Sequence, residues 1–367
     1  MDMTASMAKS DTAVASAPSG LVPASFVLGG TMLSLVGLTW DIQWHTDVGP
    51  DTFFTMPHLF LYSGSAVAGI ASLVVVLMTT AAQRRGRDIN PIVGGRAVGV
   101  FGRTFSAPVG YLISGVGAAS FLLYGLWDQW WHSLYGFDAV IASPPHIGLL
   151  LSISITMVGA VMVFAAAREH RWGVYGTVGS AAVLLSFSMV TVIGLEALPN
   201  GTVNPVDIGV TFMSVLILMM GAGALARRGG ALAVALVVAV LQGVFWWFSP
   251  WAARVYADAI GLPVRDYADG IPALPSMIPM SLLIVAVAVE LLRKLPAVVS
   301  GAVAGLIITA CGPLQDVLVY DARLPGTGPY IVTVVVGTIF GAFAGMLGKR
   351  FGQMLRHLAP AKETSHA

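Results

Sequence analysis

Ten long apolar runs constrain this chain more than any other feature. They cover 21–42, 56–80, 108–132, 144–167, 174–195, 206–226, 231–249, 275–293, 297–318 and 328–348. Each comes close to the roughly 20 mostly apolar residues that a helix needs to cross a bilayer. Of the 367 residues, 56% are hydrophobic and only 10% charged. A soluble domain carries about 25% charged residues, so the natural solvent for most of this chain is lipid. Helices satisfy every backbone polar group within one segment, which lipid demands. The expected fold is therefore all-α: a polytopic membrane bundle of ten spans.

Basic residues give the expected orientation. Arg84, Arg85, Arg87, Arg96 and Arg103 follow the second run; Arg168 and Arg171 follow the fourth. Arg227 and Arg228, then Arg293 and Lys294, then Lys349, Arg350, Arg356 and Lys362 follow the sixth, eighth and tenth. Every second connection is basic, and short basic connections stay cytoplasmic. Both termini are thus expected inside, and the acid-rich alternate connections outside. The chain divides into a disordered cytoplasmic tail over 1–20, a four-helix unit over 21–167, further spans over 168–348 and a cytoplasmic tail over 349–367. The longest outer loop is expected over 249–274, after Phe245-Trp246-Trp247-Phe248.

A formal net charge of +1 gives no electrostatic footprint for nucleic acid. The single cysteine, Cys311, excludes a disulfide framework and a cysteine-based metal cluster. Any metal must be held by His, carboxylate or Met. No phosphate loop, dinucleotide fingerprint, serine-hydrolase elbow or H-E-x-x-H motif is present.

One pattern occurs twice. Trp40-Asp41-Ile42-Gln43-Trp44-His45 is followed by Thr55-Met56-Pro57-His58, and Trp127-Asp128-Gln129-Trp130-Trp131-His132 by Ser143-Pro144-Pro145-His146. The copies read as a duplicated helical hairpin. Asp41 and His45, like Asp128 and His132, are spaced i, i+4 and share a helix face. Each pair lies at a helix C-terminus, where the dipole favours a cation. The second His opens the next helix, which Thr55 or Ser143 could cap and which Pro near its start favours. A single Asp-x3-His pair at an interface is ordinarily just a hydrogen-bonded pair. Two recurring triads that use every membrane His point instead to metal. One carboxylate and two imidazoles suit copper, zinc or iron.

The first copy resembles the copper-site motif in the C subunit of particulate methane and ammonia monooxygenases. The resemblance rests on Asp41, Trp44, His45, Asp51, Thr52, Phe54, Thr55 and His58, with the Asp-x3-His spacing and the second His thirteen residues after the first. The second copy is similar to that family's second site, with Asp128 where the family has Asn, and with His132 and His146 at the family spacing. The resemblance covers about residues 21–167. It implies copper as cofactor, with Asp41, His45 and His58 as one ligand set and Asp128, His132 and His146 as the other. It also implies a role in O2-dependent oxidation of a small apolar substrate, and partner subunits, one cupredoxin-like. A homo-oligomer is a further expectation. The catalytic residues are left unassigned. The alternative is a copper or zinc transport or homeostasis protein that captures metal at its outer face.

Weaker signals are Met277 and Met280, a candidate thioether pair, and Glu196, Asp207, Asp316 and Asp321 near the outer face, which could line a site or proton path. Glu290 is expected to pair with Arg293 or Lys294, and Gln242 to bond a neighbouring helix.

Overall fold

The computed structural model describes residues 20–87, 89–136, 143–199 and 201–358. The expected tail over 1–20 falls almost wholly outside them. The described chain runs α1 (Leu21–Asp47), α2 (Met56–Arg84), β1 (Ala97–Val100), β2 (Phe105–Pro108), α3 (Val109–Tyr135), α4 (Pro144–Ala166), α5 (Arg171–Thr191) and a 3-10 turn over Val192–Ala197. It continues α6 (Pro205–Leu225), α7 (Gly230–Ile260), α8 (Ala273–Met277), α9 (Leu282–Leu291), α10 (Ala297–Tyr320) and α11 (Thr327–Arg356). Ten helical segments among these residues are long and apolar enough to cross a membrane, counting 273–291 as one. The protein is an all-α, multi-pass membrane bundle.

Four local features depart from the sequence reading. First, β1 and β2 pair antiparallel within the basic connection after α2. The turn between them holds Phe101, Gly102 and Arg103 at positive φ. Second, α7 continues through Pro250 to Ile260, so the expected loop over 249–274 shrinks to 261–272. Proline removes a backbone donor and usually breaks a helix. Here Ser249 Oγ donates to Phe245 O at 2.9 Å, and the continued helix packs Tyr256 against Trp44 with ring centroids 4.8 Å apart. Third, α11 runs past 348 to Arg356, because Gly348 and Gly352 lie against the backbone of α6. Fourth, the eighth span is broken between α8 and α9, where Pro279 interrupts the helix.

That break frees carbonyls, which lipid would leave unsatisfied. Two glutamines take them up. Gln242 Nε2 donates to Pro275 O and Ile278 O at 2.9 and 3.0 Å, and Gln315 Nε2 donates to Ser276 O and Ile278 O at 2.6 and 3.2 Å. Gln315 Oε1 also accepts from Met280 N at 2.8 Å. Gln242 thus bonds a neighbouring helix as expected. Glu290 does not join an ion pair with Arg293 or Lys294 among the described residues. Its Oε1 accepts from Ala231 N at 2.9 Å, one of the N–H groups that the start of α7 leaves over.

Glycines set the spacing of the first four helices. A Cβ on Gly37 would lie 2.5 Å from Leu61 N and 2.9 Å from Pro57 O, so α1 touches α2 backbone to backbone beside His58. Gly30 and Gly64 do the same further along this pair. In α3 and α4, Gly117 and Gly159 lie equally close to Thr156 N and Ser114 N. Helices in lipid associate through such close packing, with small residues at the contact. Gly37→Val will therefore force α1 from α2. We expect a loss of about 1–3 kcal/mol, read as a lower thermal unfolding midpoint in detergent. An unchanged midpoint would contradict the close approach.

Candidate metal centres

The six sequence-derived ligands converge into two groups, Asp41, His45, His58 and Asp128, His132, His146; in each, the candidate ligand atoms lie within 4.8 Å of one another. The first group stands where α1 ends and α2 begins, the second where α3 ends and α4 begins. The i, i+4 pair on each ending helix and the His two residues inside each starting helix meet as their spacing requires.

Backbone carbonyls orient the rings. His58 Nδ1 lies 3.0 Å from Thr52 O, and His132 Nδ1 lies 2.8 Å from Gly136 O. A carbonyl only accepts, so each Nδ1 carries the proton and donates it. In a neutral imidazole, Nε2 is then a lone pair. His58 Nε2 points at Asp41 Oδ1, 3.1 Å away, and His132 Nε2 lies 3.4 Å from Asp128 Oδ2 and 3.3 Å from His146 Nε2. His146 Nε2 lies 3.2 Å from Asp128 Oδ1. Lone pairs facing carboxylate oxygens repel unless a cation, proton or metal, stands between them.

The separations fit a metal. Four ligands placed tetrahedrally at ~2.05 Å from zinc or a similar ion stand ~3.3 Å apart. Asp41 Oδ1 and Asp128 Oδ1 are buried and make no aligned hydrogen bond among the described residues. Fixing Nδ1 on a carbonyl is also how metal-binding histidines are usually oriented. His45 stands less tightly, with Nε2 3.9 Å from Asp41 Oδ1.

The structure adds Asp51, which the sequence reading placed in the motif but not among the ligands. Its Oδ2 lies 3.2 Å from His45 Nε2 and 3.4 Å from His58 Nε2. The first centre is therefore a two-carboxylate, two-imidazole cluster. Burial works against a charge on Asp51, but the His45 hydrogen bond and the neighbouring His58 and Thr55 hold its carboxyl below the usual carboxylate range. Gly49, at φ +101°, makes the turn that returns Asp51 to the end of α1. In the sequence Asp138 stands six residues after His132, as Asp51 does after His45; that position lies outside the described residues.

The expected caps do not form. Thr55 Oγ1 instead accepts from Thr52 N at 2.8 Å, and neither Thr55 nor Ser143 caps its helix. Pro57 and Pro145 occupy the second helical position, where they remove one of the N–H groups that a cap would bind.

Sequence reading also missed Tyr62, one turn after His58. Its ring centroid is 5.8 Å from that of His58 and 5.9 Å from that of Phe121 on α3. Tyr62 thus links the first centre to α3, the helix that carries Asp128 and His132. Met277, Asp207 and Asp316 belong elsewhere, lining a cavity of about 620 Å³ among α6, α8, α10 and α11.

Asp51→Asn keeps the shape and removes the charge. In protein whose second centre has been removed by His132→Ala, we expect copper or zinc affinity to fall by about tenfold or more, the scale on which even outer partners of metal ligands act. Equal affinity in a competition titration would place Asp51 outside the site. Without metal, the stability from Asp51 is complete above the ordinary carboxylate pKa and is lost as pH falls through its own lowered value.

Compared with family models, curated proteins and solved structures, the chain finds no match.

Proposed function

We propose that this is a copper protein of the cell membrane whose centres serve O2-dependent oxidation of a small apolar substrate. It would act alone, as a homo-oligomer, or beside other monooxygenase subunits such as a cupredoxin-like partner. The observation that carries this reading is the double convergence of two imidazoles and a carboxylate, with rings oriented so that Nε2 faces the carboxylate oxygens. The resemblance of both motifs to the monooxygenase C subunit supports copper over zinc or iron.

Copper held there would supply O2 binding and one-electron chemistry. The chain's own part is positioning. Asp41, His45, Asp51 and His58 would hold one ion, and Asp128, His132 and His146 the other. A catalytic metal keeps a position open for water or substrate, and among the described residues the second centre offers three ligands. The second centre is also the more enclosed, with the Asp128 and His132 side chains 11% and 8% exposed against 36% for His45. Leu122, Leu123 and Leu126 present a lipid-facing surface on α3 just before Asp128, a route by which an apolar substrate could approach from the bilayer. By the distribution of basic connections, both centres belong at the extracytoplasmic end.

A transport or homeostasis role is favoured by a different observation. The cavity lined by Asp207 and Asp316 adjoins the broken span at Ser276–Pro279, and transporters build binding sites from discontinuous helices.

One experiment separates the two. Purified wild-type protein is expected to hold up to two copper ions per chain and to consume O2 in a copper-dependent way with a reductant and a small hydrocarbon. His45→Ala combined with His132→Ala should remove the metal and the O2 uptake together. Copper flux into proteoliposomes without O2 uptake would establish transport instead. Full metal content in the double variant would refute both ligand assignments.

A further inference from the structure

We propose that Arg265 is the positioning residue of the first centre, by which the second half of the chain holds His45 in place. The proposal rests on the reading of Asp41, His45, Asp51 and His58 as a metal site.

A helix leaves its last four carbonyls without intrahelical partners. For α1 these are Trp44, His45, Thr46 and Asp47. Trp44 O accepts from Val48 N and Gly49 N at 2.9 and 3.0 Å. The other three all go to one residue some 220 positions downstream. Arg265 Nη1 donates to His45 O at 2.8 Å and to Thr46 O at 3.3 Å, and the Arg265 backbone N donates to Asp47 O at 2.7 Å. A cation at this end also complements the helix dipole.

The segment carrying Arg265 is itself tied down. Buried Gln43, on the same last turns of α1, donates to Ile271 O at 3.3 Å and accepts from Ala273 N at 2.9 Å. The Arg265 guanidinium lies 5.7 Å from the Tyr267 ring centroid. On the other side of Arg265, Leu262 and Val264 pack against Trp44, Val48 and Ala257, so loop 261–272 is a strap laid across the end of α1 and fastened before and after Arg265.

The guanidinium acts on the backbone of the ligand turn and not on the ligands. It makes no ion pair with Asp41 or Asp51 within 4.0 Å among the described residues, so it leaves their charge available to a metal. Arg265 also explains Gly49. A Cβ there would lie 1.9 Å from Arg265 Nη2, and the φ of +101° strains any other residue. His45 needs such support. It is the most exposed ligand of its centre, with a side chain 36% exposed.

The test uses the full-length chain with Cu(II) as probe. The first centre is isolated by His132→Ala and the second by His45→Ala. Arg265→Ala is expected to lower Cu(II) affinity at the first centre by about tenfold and to change its electron paramagnetic resonance spectrum, with the second centre unchanged. Arg265→Lys, which keeps a donor in reach of the carbonyls, should recover part of the loss. Arg265→Gln, which keeps amide donors without the charge, is expected to lower affinity at the first centre alone and serves if Arg265→Ala fails to fold. Parental affinity and spectrum in these variants would overturn the proposal, as would equal losses at both centres. If His45→Ala together with His132→Ala still binds Cu(II) as wild type does, the metal reading fails, and not the role of Arg265 alone.

Discussion

Imidazole nitrogens aimed at carboxylate oxygens are the constraint on which the rest of this structure depends. At each centre a backbone carbonyl fixes one histidine so that its other nitrogen faces a carboxylate. Two acceptors cannot face each other at that distance, so in this arrangement a proton or a metal ion must stand between them. A chain that builds it twice, at the ends of membrane helices where ionisable groups are rare, has its sequence explained if a cation belongs there. The helix dipoles of α1 and α3 act in the same direction, since both C-termini point toward the ligands.

The scaffold exists to keep those ends in register. Close glycine contacts bring α1 onto α2 and α3 onto α4, so that a His near the start of one helix can meet a pair near the end of the other. The later helices contribute from outside. The continued α7 packs Tyr256 under Trp40 and Trp44, and the following strap takes up the free carbonyls of α1. The long second half thereby gains a direct mechanical connection to the first centre. Its broken span, cavity and paired glutamines form a separate polar region.

The spans and the convergence of the six candidate residues were legible for one reason: both depend on spacing within a few residues. Apolar runs of membrane length and Asp-x3-His on a helix face are local patterns. Asp51 was half legible, since the motif contained it, but only the turn at Gly49 reveals that it reaches back to His45. Arg265 could not be read at all, because its partners are main-chain carbonyls, which have no residue identity, and they lie far away in sequence. The extension of α7 was hidden by Pro250, whose disruptive effect Ser249 locally offsets. Glu290 was misassigned because nearby basic residues in the sequence suggested an ion pair, while an unpaired helix N–H of α7 lay closer in space.

X-ray absorption at the copper edge of the purified, copper-loaded protein tests the central claim most directly. The account predicts a first shell of nitrogen and oxygen at ~2.0 Å, with the outer-shell scattering of about two imidazoles per ion. A shell dominated by sulfur would put the metal on methionines and contradict it. So would a shell without imidazole scattering.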